Sequence, residues 1–198
     1  MKISRTRLRN IIKEVILKEQ DGASCDRLLA AVLASESPND SEGMRAVYDV
    51  IQTRAKYKFK ELPAGDIRAQ IIAKGQFSGY NKFSNSEDFI NYYSGNADYL
   101  NDPDHVKRGA SIEYIKSTRL KQFNRACEAI KKGPKGFGAT HFVNPDEAST
   151  ENKWWDVEYD PVKKKGFIKA DEVGDHIFGW DMSVSQARDA YNYNKRKK

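Results

Sequence analysis

The sequence predicts a mainly α fold of the α+β class, in which a helical scaffold precedes an irregular C-terminal third with short strands. Apolar residues recur at helical spacing over much of residues 25–132, and capping and turn residues separate these stretches. Residues 136–180 lack helical periodicity. The chain has 198 residues, of which 39% are hydrophobic and 31% charged, which suits one domain with a sizeable core.

Two helices are predicted on either side of a break at residues 37–40. The first covers residues 25–35 and is expected to be buried through an apolar face formed by Leu28, Leu29, Val32 and Leu33. The second covers residues 42–56 and has Ser41 as its expected N-cap. These two helices are the most regular part of the pattern.

Further helices are predicted downstream of a turn at residues 62–65. A short one starts at Asp66, and another lies near residues 87–94. Residues 104–132 favour a longer helix, which Gly133-Pro134 ends. The region that follows is expected to hold loops and short strands.

The chain divides into three predicted segments. Residues 1–20 favour an amphipathic basic helix, with Leu8, Ile11, Ile12, Val15 and Ile16 at helical spacing. This helix is interpreted as packing on its own domain, as docking a partner protein or as lying on a membrane surface. Residues 21–183 are predicted to form the main domain, and residues 184–198 a polar basic tail.

The net charge of +6 predicts attraction to polyanions such as nucleic acid, anionic lipid or bacterial cell wall. Basic residues spread along the chain more than they cluster, and no nucleic-acid-binding motif occurs, so no specific nucleic-acid partner is predicted. The apolar runs are too short to span a membrane, so no transmembrane segment is expected.

The two cysteines, Cys25 and Cys127, each fall in a predicted helix. Their spacing gives no argument for a disulfide, and we expect both to be reduced, buried, small apolar residues. The N-terminus is basic but lacks an uninterrupted apolar segment and a small-residue cleavage site, so no secretory signal peptide is predicted.

Glu36 is the strongest candidate for a catalytic acid. It follows the apolar stretch 32–35 at a helix end and precedes Pro38. The carbonyl end of a helix and partial burial both raise the pKa of a carboxyl group. A carboxyl group in such a setting can stay protonated near neutral pH, as a general acid requires. The alternative is an exposed glutamate at a helix end.

Three later segments supply candidate ligand-binding residues. The loop Gln76-Phe77-Ser78 offers hydrogen-bonding groups and an aromatic ring. The stretch 138–145 includes His141 and Asn144 and favours a short strand beside a groove, and Trp154-Trp155 follow. His176 lies between apolar neighbours near the C-terminus. Ordinary packing is the competing interpretation for each of these residues.

Four motifs stand in a set order along the chain. Residues 29–36 precede a helix that reads G-x-x-A-V-x-x-V-I-x-x-R over 43–54; Gln76-Phe77, G-A-x-x-F-x-N-P at 138–145 and G-x-H-x-F at 174–178 follow. In order and content they resemble the SleB-type cell wall hydrolases, the spore-cortex-lytic family, over about residues 25–180. Many members have Ala and Glu where this sequence has Ser37 and Asp40.

The resemblance implies a lysozyme-like fold that cleaves peptidoglycan between N-acetylmuramic acid and N-acetylglucosamine, without a cofactor. It implies that Glu36 is the catalytic acid, with Gln76, His141, Asn144 and His176 along the cleft. Since Glu36 is the one strong candidate for a catalytic carboxylate, a lytic transglycosylase that leaves 1,6-anhydro ends is favoured. Asp40 as a second acid would instead give a two-carboxylate muramidase, a hydrolase.

Two other classes compete with glycan cleavage. A zinc peptidase or amidase could use His141, Asp175 and His176 as ligands, but no compact metal-binding spacing occurs, and no metal is predicted. A non-enzymatic virion structural or nucleic-acid-binding protein would fit the basic charge. The N-terminal segment resembles leader segments of phage proteins. This favours a location in a phage virion, or in the host cytoplasm until lysis, with residues 1–20 as a docking segment.

Overall fold

The computed structural model describes residues 25–73, 75–77, 79–96, 111–146 and 153–196. The α-helices in these ranges are α1 (Arg27–Glu36), α2 (Ser41–Lys56), α3 (Ile67–Ile72), α4 (Ser86–Tyr93), α5 (Ile112–Lys132) and α6 (Ser185–Lys195). The strands are β1 (His141–Val143), β2 (Phe167–Val173) and β3 (His176–Asp181). The prediction of a mainly α, α+β fold is confirmed. The predicted helix over residues 1–20 lies outside the described residues.

Helix α1 runs through the centre of the larger hydrophobic core. Asp26 caps its N-terminus by accepting hydrogen bonds from the backbone N–H groups of Leu28 and Leu29. Every residue from Leu28 to Ala34 is buried, and α2, α4 and α5 contact the helix. A helix that is apolar on all sides must be enclosed by other elements. Glu36, its last residue, therefore lies where α1 leaves the core.

Helix α2 begins one residue earlier than predicted, at Ser41. Asp40, rather than Ser41, is the N-cap, and its two carboxylate oxygens accept hydrogen bonds from the N–H groups of Glu42 and Gly43, each at 2.9 Å. Aspartate is a strong N-cap because it satisfies N–H groups that have no partner within the helix.

The prediction of two reduced cysteines is wrong. A disulfide joins Cys25, just before α1, to Cys127 in α5, with the Cα atoms 5.5 Å apart. The two residues are separated by 102 positions in the sequence. Only the packing of α1 against α5 brings them together, and no local pattern in the sequence reports that contact.

The three strands form an antiparallel sheet in the order β1-β3-β2. Phe142 of β1 pairs with Phe178 of β3, and the turn at Gly174 joins β2 to β3. The rings of Phe142 and Phe178 stack at 5.7 Å and belong to the same core cluster as α1. The sheet therefore presents the end of β1 and the start of β3 to the C-terminal end of α1.

The predicted polar tail, residues 184–198, contains a further helix over residues 185–195. These residues form α6, whose Ala187 and Ala190 are buried in a second, smaller core cluster with Trp180 and Met182. The side-chain amide of Asn194 also donates to the backbone oxygens of residues 137 and 138.

Within the described part of the chain, none of the helices is both long and apolar enough to cross a membrane.

Candidate active site

A groove with three adjoining sections lies beside the C-terminal end of α1. The acidic section, about 230 Å³, and the central section, about 420 Å³, share Ser35, Glu36, Asn144 and His176. The central section and the far section, about 560 Å³, share Arg54, Gly75 and Gln76. The far section continues to Glu61 and Gln186. Neighbouring sections share these lining residues, so the three adjoin one another in the order acidic, central, far and are described together as the groove.

Glu36 lines both the acidic and the central section. It is half-buried, and its Oε1 lies 3.5 Å from the hydroxyl of Ser35. The carboxylate also interacts favourably with the positive charge of Arg54. This cation is not evident from the sequence around Glu36, which shows only a helix end and apolar neighbours.

Arg54 is a site residue that the sequence analysis did not select. Its side chain is 8% exposed, and it donates from Nε to the backbone oxygen of Thr140 and from a terminal nitrogen to Oε1 of Gln76, each at 2.7 Å. Burial lowers the pKa of Arg54 to about 10, and the charge of Glu36 opposes this shift. Arg54 therefore remains a cation at neutral pH.

A signal for Arg54 was present in the sequence. It stands three residues after Ile51 and four after Val50, both on the buried face of α2. A charged residue on the apolar face of a helix needs buried partners, and such partners often belong to a functional site.

The predicted loop Gln76-Phe77-Ser78 contributes one residue to the groove. Gln76 lines the central and far sections. Phe77 is only 2% exposed, and its ring packs near the ring of Phe142 and near the guanidinium group of Arg54. The prediction that Phe77 contacts a ligand is therefore not supported, because its ring lies in the core. Ser78 lies outside the described residues.

Asn144 and His176 line the groove together with Glu36. Both line the acidic and the central section. Asn144 follows β1 and accepts a hydrogen bond from the backbone N–H of Asp146 at 3.1 Å. His176 begins β3, and its ring centroid is 5.7 Å from that of Phe142. The antiparallel pairing of β1 with β3 brings these two residues to one wall.

His141 lines the far section, and its surroundings favour one protonation state, the neutral ring. Its ring makes edge contacts with Phe59 and Trp154, and its Nδ1 lies 2.9 Å from the hydroxyl of Thr140. Burial, together with the nearby charge of Arg54, lowers the pKa of His141 to about 3, while Asp181 opposes the shift. The Asp181 backbone N–H also donates to Nδ1 at 3.4 Å, which leaves the ring proton on Nε2.

Trp154 supports the groove wall from behind. It lies in a 3-10 turn, Trp154–Asp156. Its ring contacts those of Phe167 and His141, at 5.4 and 5.6 Å. Trp154 is not among the described residues that line the three sections. The prediction of a direct ligand contact is thus not supported by its position.

Two further carboxylates line the acidic section beside Glu36. Asp40 uses both of its oxygens to cap α2, which restricts it as a catalytic base. Asp175 is exposed at the turn between β2 and β3. Within the described ranges, His, Cys, Asp and Glu side chains form no group of three that could hold a metal ion.

A buried carboxylate on α2 fixes the chain that leads into β1. Asp49 accepts hydrogen bonds from the backbone N–H groups of Gly136 and Gly138, at 3.0 and 2.7 Å. Burial raises the pKa of Asp49, and the backbone hydrogen bonds oppose this shift. Asp49 therefore helps to place Thr140 and His141 against the groove.

In comparisons with known proteins, the chain matches no protein-family model, no curated protein and no solved structure.

Proposed function

We propose that this chain cleaves the glycan strands of peptidoglycan between N-acetylmuramic acid and N-acetylglucosamine, with Glu36 as the catalytic acid. The observation that carries the proposal is the position of Glu36 between two adjoining sections of the groove, the acidic and the central one, with the far section beyond the central one. A polymeric substrate needs contacts on both sides of the bond that is cut. The motifs that resemble the SleB-type hydrolases also line this groove, through Gln76, Asn144 and His176.

The favoured reaction is that of a lytic transglycosylase with a lysozyme-like fold. Glu36 donates a proton to the glycosidic oxygen as the bond from that oxygen to C1 breaks. The resulting carboxylate then accepts the proton of the C6 hydroxyl of the same sugar, whose oxygen bonds to C1. The product is a 1,6-anhydro sugar, and no water is consumed. The internal nucleophile supplies the proximity that a second carboxylate would otherwise arrange.

A two-carboxylate muramidase is the second candidate. It is favoured by one observation: Asp175 lines the same section of the groove as Glu36. A second carboxylate can activate a water molecule for attack at C1. Asp40 is the weaker choice for this role because both of its oxygens already accept backbone hydrogen bonds.

Mass spectrometry of the products from purified peptidoglycan tests the proposal. We expect products one water lighter than the corresponding hydrolysis products. The Glu36→Gln variant should cleave about 10²–10⁴-fold more slowly, since it cannot donate or accept the proton. Glu128→Gln, an exposed glutamate on α5, is the matched control and should cleave like the wild type.

Reducing ends in place of anhydro ends would select the muramidase, with Asp175 as the next residue to vary. Equal cleavage by wild type and Glu36→Gln would refute the role of Glu36. An absence of glycan cleavage by the wild type would refute the proposed function and favour a non-enzymatic virion structural or nucleic-acid-binding role.

The proposed setting is a bacteriophage virion or a host cell before lysis, with residues 1–20 as a docking segment. It is supported by the resemblance of that segment to leader segments of phage proteins. Deletion of residues 1–20 should then leave glycan cleavage intact and abolish association with particles. Loss of cleavage in the deleted protein would instead mean that the segment belongs to the catalytic domain.

A further inference from the structure

The hydrogen bond between Arg54 and Gln76 fixes which end of the Gln76 amide is left for a ligand. A guanidinium group has only donors, so the amide atom that faces it must be the oxygen. Arg54 donates to Oε1 of Gln76 at 2.7 Å. The NH₂ group is then the polar end of this side chain that remains for the groove, which Gln76 lines in both the central and the far section.

Arg54 is itself held in place. Its Nε donates to the backbone oxygen of Thr140, which belongs to the segment that Asp49 anchors. The rings of Phe59 and Phe77 also pack near its guanidinium, each with a centroid 5.9 Å from the guanidinium carbon. A flip of the Gln76 amide would set its NH₂ group against the donors of a buried cation. Such a pair of facing donors is unfavourable, so the amide keeps one orientation.

We propose that Arg54 is a positioning residue that makes Gln76 select a sugar substituent that accepts a hydrogen bond, the carbonyl oxygen of an acetamido group. This inference rests on the proposed function, since it concerns the sugar bound in the same groove. An N-deacetylated sugar presents an ammonium group instead. That group donates rather than accepts, and it carries the same charge as Arg54. The groove therefore discriminates against N-deacetylated glycan.

Binding to two forms of one substrate tests the inference. The probes are soluble peptidoglycan glycan strands, either fully N-acetylated or enzymatically N-deacetylated, and the protein is the full chain carrying Glu36→Gln, so that nothing is cut. We expect about tenfold tighter binding of the acetylated strands, as for one well-made hydrogen bond. A second protein adds Gln76→Glu, which keeps the acceptor toward Arg54 and removes the NH₂ donor.

In the Gln76→Glu background the preference should vanish or reverse, because a carboxylate has no N–H donor and attracts the ammonium group. The same tenfold ratio in both proteins would overturn the inference. If the wild type cuts neither form and the Glu36→Gln protein binds neither, the proposed function fails, and the inference fails with it. Cleavage without discrimination would overturn the inference alone.

Two variants of Arg54 test its positioning role. Lysine has only donors and preserves the constraint on the amide, so Arg54→Lys should keep most of the preference for acetylated strands. Glutamine can donate or accept, so Arg54→Gln should allow the Gln76 amide to turn and should lose the preference. A merely structural role would weaken binding of both strands equally in both variants. Retention of the full preference in folded Arg54→Gln would overturn the assignment, and the Gln76→Glu comparison decides if that variant does not fold.

Discussion

At the residue scale, the groove combines a half-buried carboxylate with a buried cation. Arg54 loses most of its hydration, and the backbone oxygen of Thr140, the Gln76 side chain and the charge of Glu36 compensate for that loss. Removal of any one of these partners would leave the buried guanidinium without one of its hydrogen-bond acceptors or without its opposite charge. The position of Gln76 and the charge around Glu36 are therefore coupled through the side chain of Arg54.

His141 gives a pH-dependent prediction at the same scale. Its pKa is about 3 in the folded protein and about 6.5 in an unfolded chain. Between these values the unfolded state binds one more proton, so acidification from about pH 6.5 towards pH 3 favours unfolding, by up to about 1.4 kcal/mol per pH unit. His141→Gln should flatten this dependence, as measured by urea unfolding across the interval. A ring resonance of His141 that titrates near pH 6.5 in the folded protein would contradict the assignment.

Sequence reasoning found part of the groove and missed part of it. The order of the motifs identified Glu36, Gln76, Asn144 and His176, all of which line the groove. Phe77 was misassigned because an aromatic residue beside a polar loop has the same local pattern whether its ring faces the core or a ligand. Arg54 was passed over as a site residue because its role depends on Thr140, 86 positions away.

At the element scale, predictability followed the strength of the apolar pattern. Helices α1 and α2 carry branched apolar residues on their buried faces, and both were predicted within a few residues of their observed bounds. Helix α6 was missed because its buried residues are two alanines in an otherwise polar segment. Alanine favours helices but contributes little hydrophobic contrast, so the periodicity is weak there.

The packing of α6 leads to a testable difference between two exchanges on that helix. Ala190→Asp introduces a carboxylate into the cluster of Trp180 and Met182 and should lower the free energy of unfolding by at least about 2 kcal/mol. Asn192→Asp adds the same charge at an exposed position and should have little effect. Urea unfolding curves of both proteins measure the difference. Equal stability would mean that residues 185–195 behave as the predicted polar tail.

At the scale of the whole molecule, the groove lies across the two core clusters. Phe142 of the larger cluster lines the central section, whereas Phe59 of the smaller cluster and Val184, which packs against it, line the far section. The Arg54 guanidinium contacts rings from both clusters, Phe59 and Phe77. The relative placement of the two clusters therefore determines the shape of the groove, and a change in one cluster is expected to alter ligand binding as well as stability.

The disulfide acts on this same scale, because it restrains the unfolded chain more than any local contact does. Cys25 and Cys127 are 102 positions apart, and closure of a loop of about 100 residues stabilises a protein by about 4.7 kcal/mol in the chain-entropy account. For a chain of this size, reduction should lower the Tm by roughly 10–20 °C. Calorimetry with and without a reductant measures the change, and titration of the denatured protein should find two thiols only after reduction.

The double variant Cys25→Ala/Cys127→Ala separates the effect of the bond from that of the reagent. Its Tm should already be low and should not respond to reductant, whereas that of the wild type should fall towards it. Because the bond lies at the opposite end of α1 from Glu36, the reduced protein should retain its groove at temperatures where it remains folded. Two free thiols in the unreduced wild type, or an unchanged Tm after complete reduction, would contradict the stabilising role assigned to this bond.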